Sequence, residues 1–291
     1  MTVLSDLLAN LIDYAGLFPP AALNMETAVR NYAEYHRGEH AAWLGRFVVP
    51  ASRLAEFERA AEGLETRNWR LSALGGTDLP ADLAEIARFN DLHSGEGARI
   101  DMIEFNAATS EEIRSAMARI PASLTSYVEI PVAADPAPLI ETMADRGARA
   151  KARAGGVTAD AFPSSLSLAR FIVVCSDEDV PFKVTAGLHH PIRGIHKLTY
   201  EPDSPSALMH GFLNVFLAAA FAQNGIGLEQ IAELLEETTP AAFRFEQGSV
   251  SWRGEMAVRA HLRNTRSLLA ISFGSCSFEE PIAELKRMGL L

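Results

Sequence analysis

The fold is decided first by Ala148-Arg149-Ala150-Lys151-Ala152-Arg153-Ala154-Gly155-Gly156, where small apolar residues alternate with charged ones before two glycines. A second stretch, Pro181-Phe182-Lys183-Val184-Thr185-Ala186-Gly187-Leu188, repeats the pattern one helix later. Alternation of this kind is typical of a β-strand, and the glycines that follow indicate a turn. Only four of the 26 basic residues are lysines, yet two of these, Lys151 and Lys183, lie inside the predicted strands. A lysine amine can lose its proton, which the guanidinium of arginine cannot, so both lysines are candidate reactive groups.

Strand and helix patterns alternate along the rest of the chain. We predict eight strands: Asp13–Phe18, Gly45–Pro50, Trp69–Gly75, Ile100–Asn106, Ser126–Pro131, Arg149–Ala154, Pro181–Gly187 and Ala270–Ser275. Between them, apolar residues at helical spacing predict helices such as Met25–Arg37, Leu79–Leu92 and Ala137–Gly147. Eight strand-helix units predict an α/β fold, a (β/α)8 barrel of the TIM type.

No linker rich in serine, glycine or proline divides the chain, so residues 1–291 are predicted to form one barrel domain. The interval between the last two strands, residues 188–269, is longer than the others. It holds two helix patterns, Ser206–Asn224 and Leu228–Glu237, and a hairpin-like pair, Phe243–Gln247 and Ser249–Arg253. We expect this insertion to form a cap or a contact in a homo-oligomer.

Composition narrows the class of partner. A formal net charge of -11 argues against binding to nucleic acid or an anionic membrane, so a small molecule is the expected partner. Asp6 and Asp13 interrupt any signal core, and the longest apolar run is far shorter than the ~20 residues of a membrane span. Two cysteines do not form a disulfide framework. We therefore expect a soluble cytoplasmic protein that requires no cofactor.

Side chains alternate across a strand, which predicts the face that each charged residue occupies. If the alanines of residues 148–154 pack under helices, Lys151 and Arg153 point into the barrel, and the same argument turns Lys183 and Thr185 inward. Glu104 and Asn106 on the fourth strand and Glu129 on the fifth follow the same parity. Barrel active sites lie at the carboxyl ends of the strands, where these residues are predicted to meet.

Two lysines on adjacent strands favour covalent chemistry. A neutral amine attacks a carbonyl carbon, and a neighbouring cation can lower the pKa that keeps it protonated. We predict that Lys151 is the nucleophile, that Lys183 modulates it, and that Glu104 and Glu129 move protons. Arg153 is predicted to hold an anionic group of the substrate, since its guanidinium matches carboxylate and phosphate.

The order of Lys151 and Gly155, Phe182-Lys183 and Gly187, and Phe273-Gly274-Ser275-Cys276-Ser277 resembles deoxyribose-phosphate aldolase and related Schiff-base barrel aldolases. The resemblance implies a lyase in which the lysine on strand six forms the imine and the lysine on strand seven tunes it. It also implies a glycine-serine turn on strand eight that binds phosphate. Arg153 departs from that family, which has a small hydroxyl residue there, and the insertion has no counterpart. Asp13–Pro20 and Gly187–Pro191 also resemble a bacterial barrel family to which we assign no role.

Further candidates surround the predicted barrel mouth. Backbone N–H groups at the glycine turns can hold an anion, and a loop above a barrel mouth delivers histidines to substrate. The predicted substrate-binding set is completed by Gly155, Gly156, His189, His190, His210, Gly274, Ser275, Asp13 and Tyr14. Adjacent histidines on an extended chain point in opposite directions, so no metal site is expected from His189 and His190 together.

Two alternatives stay open. In one, the barrel is a metal-dependent, enolase-like lyase or isomerase in which Glu104, Glu129 and His189 or His190 surround a divalent ion. In the other, the barrel only binds an anion through its cations and catalyses nothing, since a barrel fold does not decide function.

Overall fold

Eight parallel strands close into a barrel in the computed structural model, which describes residues 2–95 and 97–291. Five further strands form two smaller sheets. Numbered together in chain order, the strands of the described residues are β1 (Ile12–Tyr14), β2 (Leu44–Pro50), β3 (Arg70–Leu74), β4 (Arg99–Asn106), β5 (Thr125–Ile130), β6 (Arg149–Arg153), β7 (Phe182–Thr185), β8 (Gly194–Lys197), β9 (Ser206–Met209), β10 (Phe243–Phe245), β11 (Ser249–Trp252), β12 (Glu255–Val258) and β13 (Ala270–Ser275). The barrel order is β1-β13-β7-β6-β5-β4-β3-β2, and it confirms the predicted (β/α)8 architecture.

Helices alternate with the barrel strands. They are α1 (Val3–Leu8), α2 (Met25–Arg37), α3 (Leu54–Ala60), α4 (Leu79–Leu92), α5 (Ser110–Met117), α6 (Ala137–Arg146), α7 (Ser165–Asp177), α8 (Phe212–Gln223), α9 (Leu228–Glu236), α10 (Arg259–Leu268) and α11 (Glu279–Arg287). Side chains cap several of them: Asn24 accepts a hydrogen bond from the backbone of Thr27, and Thr109 forms a capping box with Glu112. No helix within the described ranges is both long and apolar enough to span a bilayer.

The first strand differs from its prediction. It was expected at Asp13–Phe18, but it covers Ile12–Tyr14, because the backbone N–H of Phe18 bonds back to Ala15 O and forms a turn. Pro19 follows with no N–H to donate to a ladder. Asp13 and Tyr14 remain within the strand, where Asp13 pairs with Gly274 of β13.

Residues 188–269 hold more sheet than expected. Ser206–Met209, predicted as the start of a helix, pairs antiparallel with β8, and α8 begins only at Phe212 after Gly211. The predicted hairpin gains a third strand, so that β10, β11 and β12 form a small antiparallel sheet. Helix α8 is buried from Phe212 to Phe221 and packs against α7 and α9. It therefore belongs to the helical layer around the barrel, and a role for the rest as a cap or an oligomer contact stays a prediction.

Candidate active site

A chain of alternating charges crosses the barrel interior. The Nζ atom of Lys183 lies 2.6 Å from Asp13 Oδ2 and 2.6 Å from Glu104 Oε1. Glu104 contacts a second lysine through its other oxygen, with 2.7 Å between Oε2 and Lys151 Nζ. Lys151 lies 2.8 Å from Glu129 Oε2, and Glu129 Oε1 accepts a hydrogen bond from Arg153 Nε at 3.0 Å. Three carboxylates and three cations thus alternate from β1 to β6.

Strand register explains how residues distant in sequence converge. Lys151 of β6 is paired with Lys183 of β7 on one side and with Glu129 of β5 on the other. Residues paired across parallel strands share a face, so all three side chains point into the barrel. The alanines between them, Ala150 and Ala152, are fully buried on the opposite face, as parity predicted.

Lys183 occupies the innermost position. Its side chain is 1% exposed, and both of its carboxylate partners accept an additional hydroxyl hydrogen bond. Ser272 Oγ donates to Asp13 Oδ2 at 2.7 Å, and Ser72 Oγ donates to Glu104 Oε1 at 2.6 Å. Burial alone would lower the pKa of Lys183, but the two carboxylates more than offset burial and raise it. Lys183 is therefore held as a cation.

The two lysines do not face each other as expected. Glu104 lies between the ammonium groups, so Lys183 is stabilised as a cation rather than driven to lose its proton. Burial alone would raise the pKa of Glu104, but Lys151 and Lys183 together hold it well below its usual range. The pKa of Glu129 is also lowered, because Lys151 and Arg153 outweigh the effect of burial.

A cavity of about 410 Å³ opens at the carboxyl ends of the barrel strands. Its wall includes Lys151, Glu104 and Arg153 from the charge chain, with Lys183 at its base. Of the other predicted residues, Gly155, Gly156, Thr185, His189 and Gly274 line the same cavity. Its remaining wall is largely apolar, with Phe18, Val48 and Leu74 among the lining residues.

A larger cavity of about 740 Å³ lies at the opposite end of the barrel, beside Trp69, Arg99 and Leu124. These residues lie at or just before the amino ends of β3, β4 and β5. Neither lysine of the charge chain lines it, and active sites of such barrels lie at the carboxyl face. The smaller cavity is therefore the candidate active site.

The glycines at the cavity rim have a packing cause. A Cβ atom at Gly155 would clash with the ring of Phe162, and one at Gly187, where φ is +71°, would press on Gly155 and the same ring. Gly274 lies close to the hydroxyl of Thr185, which a Cβ atom would approach to 3.1 Å. These contacts bring the turns after β6 and β7 together. The side chain of Arg153 is 54% exposed, so its guanidinium is accessible to an incoming anion.

Seven predicted site residues do not line this cavity: Asp13, Tyr14, Asn106, Glu129, His190, His210 and Ser275. Asp13 and Glu129 instead belong to the charge chain. Tyr14 is buried against α2, where its hydroxyl accepts a hydrogen bond from Asn31 and its ring lies edge-on to Tyr35. Asn106 is exposed in a shallow depression on the rim, next to Glu129 and Arg153. Ser275 is buried and donates its hydroxyl to Ser277 O at 2.6 Å.

His210 is the clearest departure from the predicted set. It is 1% exposed, its Nε2 is 2.8 Å from Pro163 O, and its Nδ1 is 3.0 Å from Arg193 Nη1. It was predicted to bind substrate and falls within the predicted helix Ser206–Asn224, but it lies between β9 and α8 and does not line the cavity. His190 lines a separate neighbouring cavity.

Sequence reasoning missed three polar residues at the site. Ser72 and Ser272 interrupt the apolar runs 71–74 and 270–273, and a single polar residue within an apolar run was the available signal. Cys276, which was not in the predicted site, lines the cavity with its Sγ 4.0 Å from His189 Nδ1. Burial alone would raise the pKa of Cys276, but hydrogen bonds from His189 and Tyr200 lower it.

The ligand arrangement that the metal-dependent alternative requires around Glu104 and Glu129 is not assembled. Both carboxylates are engaged by lysines, and neither is hydrogen-bonded to a histidine among residues 2–95 and 97–291. Within those same ranges, the only three-residue group of metal-binding side chains close enough to hold one ion is His190, His196 and Glu284.

Comparison with known proteins gives the chain no relatives from which chemistry can be transferred. No protein-family model matches it, and no curated protein or solved structure matches it either.

Proposed function

We propose that the protein is a lyase that cleaves or forms a carbon-carbon bond in a small anionic carbonyl compound through a Schiff base on Lys151. One observation carries the proposal: Lys151 lines the cavity while its amine contacts two carboxylates, Glu104 at 2.7 Å and Glu129 at 2.8 Å. The barrel fold is compatible with enzymatic function but does not by itself decide it.

The two lysines differ in a way that favours Lys151 as the nucleophile. Its side chain is 7% exposed against 1% for Lys183, so a carbonyl group in the cavity has better access to it. The pKa of Lys183 is raised by two carboxylates that hydroxyl groups also hold in place. Lys183 then serves as a fixed cation that keeps Glu104 ionised.

Proton transfer to Glu129 starts the sequence. The Lys151 ammonium gives one proton to the Glu129 carboxylate, and the neutral amine adds to the carbonyl carbon. The resulting carbinolamine loses its hydroxyl as water after Glu129 returns the proton. The overall change converts an ammonium and a carbonyl into an iminium and one water, with no net gain or loss of protons.

The iminium carries the same single positive charge as the ammonium that it replaces. It therefore remains between Glu104 and Glu129 and keeps the alternation of charges across the barrel. In the cleavage direction, Glu129 accepts the proton of the substrate's β-hydroxyl group. The electron pair of the breaking carbon-carbon bond moves into the iminium, which becomes a neutral enamine.

The anionic character of the substrate is inferred from Arg153. One edge of its guanidinium is fixed by Glu129, which leaves the outer nitrogens available at the cavity wall. A guanidinium presents paired donors that match a carboxylate or a phosphate. The cavity volume of about 410 Å³ suits a small metabolite.

Borohydride trapping tests the proposal. The protein is incubated with a panel of small aldehydes and ketones that bear a carboxylate or phosphate, reduced with sodium borohydride, and digested for peptide mass analysis. The expected result is a mass increase on the peptide that contains Lys151, absent from the folded Lys151→Arg variant. An adduct confined to other lysines, or none with any carbonyl compound, would overturn the assignment of Lys151.

A further inference from the structure

We propose that His190, His196 and Glu284 bind one divalent transition-metal ion, with Zn²⁺ as the best-matched probe. The three residues come from different parts of the chain: the loop after β7, strand β8 and helix α11. One ligand atom from each lies within 4.8 Å of the others. The proposal does not depend on the lysine chemistry.

The two histidine rings are held in an unusual arrangement. Their centroids are 3.3 Å apart with an interplanar angle of 9°, so the rings are stacked face to face. Imidazole binds a metal through the nitrogen lone pair in the plane of its ring, so one of the two stacked rings must turn for both to bind the same ion. Neutral imidazole is the form of histidine that ligates a metal.

The His196 ring is stacked on His190, and neither of its ring nitrogens has a hydrogen-bond partner among the residues that the structure describes. His190, by contrast, is buried, and its Nδ1 lies 2.9 Å from Glu284 Oε1. A tetrahedral ion with bonds of about 2.0–2.1 Å keeps its ligand atoms roughly 3.3 Å apart, so the three atoms, which lie within 4.8 Å of one another, need to move only a short distance.

The donor set indicates the class of ion. Two imidazole nitrogens with one carboxylate oxygen suit Zn²⁺ and neighbouring transition metals, while Mg²⁺ and Ca²⁺ prefer oxygen ligands alone. Glu284 Oε1 also accepts a hydrogen bond from the exposed side chain of Arg287 at 3.1 Å. An ion at this position would therefore bind Oε2 or displace Arg287.

Three protein ligands leave one coordination position open, the arrangement that distinguishes reactive zinc sites from closed structural ones. His190 and His196 line a cavity of about 300 Å³ together with Glu280 and Tyr200, so a water or an anionic ligand has room at that position. This cavity shares Pro19, Gly156, Ala186 and His189 with the cavity of Lys151. An ion there would border the mouth of the candidate active site.

The test measures metal binding rather than turnover. Tag-free protein is stripped with a chelator, dialysed, and titrated with Zn²⁺ by calorimetry, with metal content measured after gel filtration. We expect one equivalent per chain for the native protein and at least about a tenfold loss of affinity for His196→Ala and Glu284→Gln. Co²⁺ should bind at the same site and give visible absorption bands of a four-coordinate ion.

His93→Ala is the matched control, since this histidine contacts Glu58 elsewhere on the barrel. It should retain one equivalent of Zn²⁺. The His196 side chain is partly exposed and its ring makes no hydrogen bond within the described residues, so its replacement should leave the fold intact, as circular dichroism can verify. Failure of the native protein to bind Zn²⁺ or Co²⁺ stoichiometrically, or unchanged binding by His196→Ala, would overturn the proposal.

Discussion

Glu104 and Lys183 are 79 residues apart in the sequence, yet Glu104 Oε1 and Lys183 Nζ lie 2.6 Å apart at the centre of the barrel. Both side chains are almost wholly buried. A buried ion pair contributes little net stability compared with an apolar pair, but removal of one partner leaves an unpaired charge in the interior. Replacement of either residue is therefore expected to lower the free energy of unfolding.

Lys183→Met should destabilise the protein by about 3–5 kcal/mol, because it leaves Asp13 and Glu104 facing each other without their shared cation. Urea unfolding followed by circular dichroism measures the change. The double variant Lys183→Met with Asp13→Asn removes one of the unpaired charges and should recover part of the loss. A single variant as stable as the native protein would show that Lys183 is not a required counter-ion.

Lys151→Arg should abolish carbonyl trapping and the proposed lyase activity while the protein stays folded. Arginine keeps a positive charge between Glu104 and Glu129 but cannot form an imine. Mass analysis after borohydride reduction reports the adduct, and thermal unfolding reports the fold. Unchanged binding of an anionic ligand by Lys151→Arg, with no adduct on the native protein, would favour the non-catalytic anion-binding alternative.

The lowered pKa of the buried His210 predicts that the stability of the protein depends on pH. Burial, chiefly, together with the nearby Arg193, lowers its pKa to about 4 in the folded protein, against an ordinary value of 6.5. Between these two values the unfolded chain binds more protons than the folded one, so the free energy of unfolding falls as the pH drops from about 6.5 to 4. The loss attributable to His210 is on the order of 3 kcal/mol.

His210→Gln should flatten this part of the pH profile, because glutamine does not titrate in that range. Urea unfolding at several pH values from 4 to 7 measures both slopes. The carboxylates Glu104 and Glu129, whose pKa values are lowered, should lose their contribution only at more acidic pH in either protein. Equal slopes for the variant and the native protein across this range would contradict the assignment.

Gly155→Ala should destabilise the turn after β6 by about 1–3 kcal/mol, because the added methyl group meets the ring of Phe162. The neighbouring cavity should change shape with it. Phe162→Leu combined with Gly155→Ala should restore part of the stability. Gly248→Ala is the control, since nothing lies within 4 Å of its added carbon atom, and a loss as large there would refute the packing argument.

The alternation of side chains explains how much of the site was predictable from the sequence. Parity alone placed Lys151, Arg153 and Lys183 inside the barrel, because each lies in a strand whose opposite face is apolar. It could not show that Glu104 stands between the two lysines, since that contact depends on the diameter and closure of the barrel. The expectation that the lysines act directly on each other failed for this reason.

Loop residues were predicted less well than strand residues. His210 was assigned to a helix because Ser206–Asn224 reads as one apolar segment, but pairing of Ser206–Met209 with β8 overrides that local pattern. His196 lies in the partner strand of the same hairpin, and its approach to His190 and Glu284 brings together three distant parts of the chain. Periodicity carries no information about such contacts.

The alternating charges that cross the barrel also bear on how the chain folds. Asp13 belongs to the first barrel strand and Lys183 to the seventh, and their contact has a sequence separation of 170 residues. In a partly assembled barrel these charges have no partners, so their pairing stabilises only the closed barrel. Contacts of such long range slow folding and form late. The candidate active site is thus expected to assemble together with barrel closure, as the last cooperative step rather than as a local nucleus.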